Sequence, residues 1–115
     1  MQRNITVYLQ DIKDSVAKIQ SYTDGYDLEQ FRSDSRTVDA VIRNLEVIGD
    51  AAKKLPEDVR AKDAPAEWRK IGGLRDIFSH EYFGIDSEMI WDIVVRKLPV
   101  LSNSVDRIIV LEAVR

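Results

Sequence analysis

The chain has 115 residues, a net charge of −3 at pH 7, one histidine and no cysteine. Without cysteine there can be no disulfide, zinc–thiolate centre or cysteine nucleophile, and a single histidine leaves a dedicated transition-metal site short of donors. The negative balance excludes a protein that coats nucleic acid through overall positive charge, but it leaves room for a local basic site.

A chain of this length is expected to form one domain over residues 1–115, able to bury roughly 65% of its unfolded surface without staples. Residues 1–4 lead into a mixed segment with no signal-peptide core. No apolar run approaches the ~20 residues that span a bilayer. A soluble, cytoplasmic protein with no membrane partner is expected.

The first helix is predicted over residues 4–22, where Ile5, Leu9, Ile12, Val16 and Ile19 recur at helical spacing. Thr23, Asp24 and Gly25 end it. A single helical turn is expected over residues 28–31. Asp34 or Ser35 can cap the next helix, which runs to about residue 55 on a stripe of Val38, Val41, Ile42, Leu45, Ile48 and Ala52. Gly49, Ala51 and Ala52 allow close approach of another helix, either in this chain or in a second subunit. Arg43, Glu46 and Asp50 share a charged flank. They suit helix-surface pairing, or Arg43 helps to line a site. Residues 56–62 form a short helix with Pro56 in its first turn, and residues 64–66 form a joint.

A further helix begins at residues 67–71, loosens at Gly72 and Gly73, and resumes over 74–82. Gly84 stops it. The glycine pair permits a bend or tight packing against Trp68, which reads as a core residue rather than a base-stacking platform. Asp86 or Ser87 caps the last segment, where Ile90, Trp91, Val94, Val95, Leu98, Leu101, Val105, Ile108, Ile109 and Leu111 carry the apolar period. Pro99 should kink or divide it. The class is all-α: an up-and-down bundle of four to five helices with a kinked C-terminal segment.

The only histidine, His80, lies in residues 75–83. On a helix, Leu74, Ile77 and Phe78 fall on one side, while Arg75, Asp76, Ser79 and His80 fall within about 140° on the other. Asp76 is four residues before His80, so its carboxylate can bond the imidazole and fix its tautomer. Arg75 can reach the same spot. A fixed guanidinium beside an oriented imidazole suits a phosphodiester, with Arg75 holding the phosphate and His80 moving protons. Ser79 adds a further phosphate contact. Arg69 and Lys70 join Arg75 in a basic cluster, which could equally be an ordinary solvated face.

The pattern Arg75-x4-His80-x-Tyr82 resembles the signature of the HEPN superfamily, specifically the HepT-like toxins. The resemblance takes in Arg43-Asn44-Leu45-Glu46-Val47-Ile48-Gly49-Asp50-Ala51-Ala52 and Trp68-Arg69-Lys70-Ile71-Gly72-Gly73-Leu74. It continues through Ile90-Trp91 and Leu98-Pro99. The short motif alone is nonspecific, but the blocks in this order are much more specific and cover nearly the whole chain.

The resemblance implies a toxin of a HEPN/minimal-nucleotidyltransferase toxin–antitoxin system. Its activity would be metal-independent endoribonuclease cleavage of RNA, with Arg75, His80 and Asp76 catalytic and no cofactor or metal. It further implies a cognate minimal nucleotidyltransferase antitoxin as partner, with Tyr82 as the acceptor of AMP. By helical phase Tyr82 lies about 20° from Arg75, so its hydroxyl should reach the rim of the phosphate cleft. Cleavage needs both an acid and a base. One histidine per chain therefore favours a homodimer that brings two motifs together, which the family also implies. The same residues would serve a nonenzymatic nucleotide- or phosphate-binding partner of a nucleotidyltransferase, and a bare structural dimer is a third reading.

Overall fold

The structure is a computed structural model that describes residues 5–63, 67–74 and 86–113. Every regular element among these residues is helical. Helix α1 spans Ile5–Tyr22, α2 Leu28–Ser33, α3 Ser35–Lys54, α4 Glu57–Arg60 and α5 Trp68–Gly72. Helix α6, Ser87–Asp92, continues through a π-helical turn, Ile93–Lys97, into α7, Leu98–Ala113. The three pieces form one long kinked helix, and the whole is the expected all-α up-and-down bundle.

The bundle is built on α1 and α3, which share the most extensive packing, and α7 closes against α1. The stripes read from the sequence are the buried ones. Leu9, Ile12, Val16 and Ile19 of α1 meet Val41, Ile42, Leu45, Ile48 and Ala52 of α3 in one apolar cluster. Leu101, Val105 and Ile108 of α7 complete it. Amphipathic stripes at the 3.6-residue period can bury themselves only by facing one another, which is why three long helices make one core.

Each helix end has a local cause. Beyond α1, Thr23 donates its hydroxyl to the Ile19 carbonyl at 2.8 Å, and Gly25 turns the chain at φ 75°. Asp27 and Gln30 form a capping box on α2. This helix is longer than the single turn expected, because Phe31 is fully buried and stacks obliquely on Trp91, ring centroids 5.1 Å apart. Of the two candidate caps for α3, Asp34 serves. It accepts from the Thr37 hydroxyl at 2.6 Å, the Tyr26 hydroxyl at 2.6 Å and the Thr37 amide at 3.2 Å. Those bonds, Thr37 before Tyr26, hold its carboxyl down to about 2. Asp86 caps α6 by accepting from the Glu88 amide.

Two expectations are corrected, at Pro56 and in the last stripe, and one open alternative is decided, at Gly49 to Ala52. Pro56 stands just outside α4 at the cap position, with ψ 151°, rather than in its first turn. Gly49, Ala51 and Ala52 are buried in the chain's own core, so this small-residue face is taken up internally. Val95 and Leu111 are exposed, at 50% and 49%, while the neighbouring Val94 and Ile108 carry the stripe inward. Pro99 does kink the last helix, through the turn that precedes it. Proline has no amide for the carbonyl four residues back, and its ring crowds that carbonyl. The turn widens to five-residue spacing, with the Leu98 amide bonded to the Ile93 carbonyl.

Candidate functional site

Arg75, Asp76, Ser79, His80 and Tyr82 lie outside the described residues, as do Ile77, Phe78 and Gly84. The structure does describe the platform that leads into them. Helix α5 ends at Gly72, and Leu74, the residue before Arg75, is buried at 6%.

Three contacts seat α5. The Trp68 indole nitrogen donates to the Asp63 carbonyl at 3.0 Å, and the ring is 7% exposed, which makes it the core residue expected. Ile71 is buried beside it. Gly72 lies against α3, where a Cβ would come within 3.2 Å of Lys53 Cγ, so the first glycine permits close approach of the two helices. The tight packing expected of the glycine pair against Trp68 is made instead by Gly72 on Lys53. Gly73 differs. Its φ of −78° and ψ of −10° are ordinary for any residue, and among the described residues an added Cβ would meet the Lys70 and Arg69 carbonyls at 3.5 and 3.6 Å.

Asp63, in the loop before α5, is tied to α7. It accepts from Ser104 Oγ at 2.6 Å and from the Arg107 guanidinium at 3.0 Å. The bonds from Arg107, then from Ser104, hold the Asp63 carboxyl down to about 2. Lys62 adds a bond to Glu112 at 2.7 Å. Glu67, just before α5, adopts the left-handed conformation at φ 52°, ψ 52°. It pairs with Lys97 at 3.0 Å and Lys70 at 3.3 Å, which together lower its pKa.

Between α3, α4 and α5 lies a cavity of about 490 Å³. Among the described residues, Lys53, Arg60, Arg69 and the carboxylate of Glu57 line it; Trp68, Gly72 and Gly73 form part of its wall. Arg60 Nε is buried without a hydrogen-bond partner among the described residues. Of the basic cluster expected at Arg69, Lys70 and Arg75, only the first two fall among the described residues. Arg69 faces the cavity and Lys70 is engaged with Glu67, while Arg75 is outside the described residues. On the flank of α3, Asp50 pairs with Lys54 at 3.3 Å, and Arg43 is exposed and is not part of the cavity lining.

Sequence reasoning missed Lys53 and Arg60. Their one signal was basic residues at the ends of two consecutive helices, opposite a glycine pair. Among the described residues, no group of three or more His, Cys, Asp or Glu could hold a metal ion. No helix there is long and apolar enough to cross a membrane.

The family model described as "Ribonuclease HepT-like" matches residues 12–108. A Methanocaldococcus jannaschii protein named "Putative RNase" is 40% identical over 108 residues, covering 94% of this chain and 89% of that protein. The "Probable ribonuclease HepT" of Thermococcus cleftensis is 34% identical over 108 residues, covering 94% of this chain and 98% of its own. No solved structure matches the chain.

Proposed function

The chain belongs to the HepT-like ribonuclease family, and on that footing we propose that it is the toxin of a toxin–antitoxin pair, a cytoplasmic endoribonuclease that cleaves RNA without a metal ion. The observation that carries this is the family match over residues 12–108, a span that takes in Arg75, Asp76, His80 and Tyr82.

In the proposed reaction the ribose 2′-oxygen attacks the adjacent phosphorus. Its proton goes to an imidazole acting as base, and the bond from phosphorus to the 5′-oxygen breaks. An imidazolium gives that oxygen a proton, leaving a cyclic phosphate and a 5′-hydroxyl. His80 moves the protons, and Arg75 neutralises charge on the non-bridging oxygens through its two-pronged donor face. Asp76 orients His80. A homodimer supplies the second imidazole. With Gly49, Ala51 and Ala52 used internally, the exposed Val100, Val110 and Leu111 of α7 are better placed to meet a second copy. The partner is a minimal nucleotidyltransferase that moves AMP from ATP to the Tyr82 hydroxyl. The added charge and base then compete with RNA beside Arg75.

His80→Ala and Arg75→Ala should each slow cleavage of RNA at least about 100-fold while the circular dichroism spectrum stays that of the wild type. Wild-type cleavage by folded His80→Ala would overturn the catalytic assignment, and loss of wild-type cleavage in EDTA would overturn metal independence. Incubation with the transferase, ATP and Mg²⁺ should add AMP to Tyr82 by peptide mapping, with Tyr82→Phe left unmodified and active.

A further inference from the structure

A second groove, of about 500 Å³, runs along α6 and the π-helical turn, with Leu28 of α2 on its far side. We propose that it is a docking site for a basic amphipathic helix of a protein partner. The proposal goes beyond the ribonuclease reading and does not depend on it.

The floor of the groove is apolar and open. Met89 is 40% exposed and Val95 50%, although both belong to the helix that carries Ile90 and Val94 into the core. Trp91 lies between them, half-buried, with its ring stacked on Phe31. An amphipathic partner would cover these side chains, and a tryptophan anchored from behind is the kind of residue on which such contacts centre.

The rim is acidic. Among the described residues, Asp86, Glu88 and Asp92 line the groove with one cation, Arg96. Arg96 is matched to Asp92 at 3.2 Å. Arg32 approaches Glu88 at 3.8 Å but bonds Glu29 at 3.1 Å. The cap on α6 explains Asp86. It explains neither the two exposed apolar side chains nor the carboxylates beside them. A surplus of carboxylates around an apolar floor favours lysine or arginine on the incoming surface. It repels the phosphates of RNA and of anionic lipid, which leaves a protein as the occupant.

The layout of the lining suits a helix. On α6, Glu88, Trp91 and Val95 form one row at three- and four-residue spacing, and Met89, Asp92 and Arg96 the next. Six residues of helix separate Met89 from Val95, about 9 Å at 1.5 Å per residue. Apolar anchors seven residues apart on a partner helix are separated by about 10.5 Å, so two turns of it span the floor.

The test is fluorescence anisotropy of the full chain with a labelled peptide of about 15 residues, leucine along one face and lysine on the other. Met89→Gln/Val95→Gln should raise Kd about tenfold. Glu88→Gln/Asp92→Asn should weaken binding by a similar factor at low salt, and its Kd should then respond less to added salt. Asp39→Asn/Val47→Gln, the same kinds of change on the exposed side of α3, should move Kd less than about twofold. A peptide of identical composition with the leucines scattered should bind at least about tenfold more weakly. Thermal melts establish that each variant is folded.

Wild-type affinity in the folded Met89→Gln/Val95→Gln chain would overturn the proposal, as would an equal loss in Asp39→Asn/Val47→Gln or equal binding of the scattered peptide. Displacement of the peptide by single-stranded RNA or by phosphatidylglycerol vesicles would assign the groove to another class of ligand. A change in native mass by light scattering in Met89→Gln/Val95→Gln would assign it to a second copy of the chain. Either result would overturn the proposed partner. RNA cleavage is a separate measurement: its absence from the wild type would sink only the ribonuclease reading.

Discussion

The α1–α3–α7 core and the α4–α5 platform are held by different forces. In the core, contact is apolar on every side, and Leu9, Ile12, Leu45, Ile48, Leu101 and Ile108 are all at 0% exposure. The platform has a smaller apolar share, chiefly Val59, Trp68, Ile71 and Leu74. These join the same apolar cluster, and polar ties add to them: Asp63 to Ser104 and Arg107, Lys62 to Glu112, and Glu67 to Lys97. The core resists disturbance because each methylene removed leaves a void. The platform is held by a few directional bonds, each of which can be removed singly. The cationic cavity lies in the second region, at the seam with α3.

Mutations in the two regions should differ accordingly. Leu45→Ala, in the middle of α3, should cost about 2–5 kcal/mol by urea unfolding, since it combines forfeited transfer energy with a cavity that the bundle cannot close. Asp63→Asn keeps the volume and the carbonyl that Trp68 uses, but weakens the tie to Arg107. Because the Arg107 side chain is 54% exposed, water takes over part of the interaction, and the expected loss is about 1–2 kcal/mol. A loss as large as that of Leu45→Ala would mean that the tie to Arg107 matters as much to stability as a residue at the centre of the core.

Acid should separate the regions further. The Asp63 carboxyl titrates at about 2 in the folded chain, against 3.8 for an ordinary aspartate. A depressed folded value contributes stability that is complete above about pH 4 and is lost as pH falls toward 2. The urea midpoint of the wild type should therefore drop across that window. Part of the drop should disappear in Asp63→Asn, with the remainder belonging to Asp34 and other carboxylates. The smallest effect is expected at Gly73→Ala, which should raise stability by about 0.4–1 kcal/mol, because the folded backbone already suits alanine. A destabilised Gly73→Ala would show that packing explains this glycine after all.

The same contrast explains what was legible in the sequence. Stripes on α1 and α3 repeat locally, so Leu9 to Ile19 and Val41 to Ala52 could be placed from spacing alone. Asp34 and Asp86 were readable because a cap acts on residues two or three positions away. Pro99 was readable as a break, though the widened turn depends on how the helix resolves it. Asp63 had no such signature. Its partners lie 41 and 44 residues downstream, and nothing local distinguishes it from a solvated acid. Lys53 and Arg60 became neighbours of Arg69 only when Gly72 let α5 settle on α3. Arg75, Asp76, His80 and Tyr82 came from helical phase and resemblance, and they lie beyond the described residues.

The seat of Trp68 also gives the two regions separate optical signals. The chain has only two tryptophans, and they fall on opposite sides of the divide: Trp91 stacks on Phe31, while Trp68 lies at the cavity, 7% exposed and bonded through its indole nitrogen to the Asp63 carbonyl. An indole shielded from water emits to the blue and moves to the red as water reaches it. In a Trp91→Phe chain the remaining indole emission comes from the platform alone. Its colour would follow release of the platform, while circular dichroism would follow the bundle, so partial and complete unfolding could be told apart in one titration.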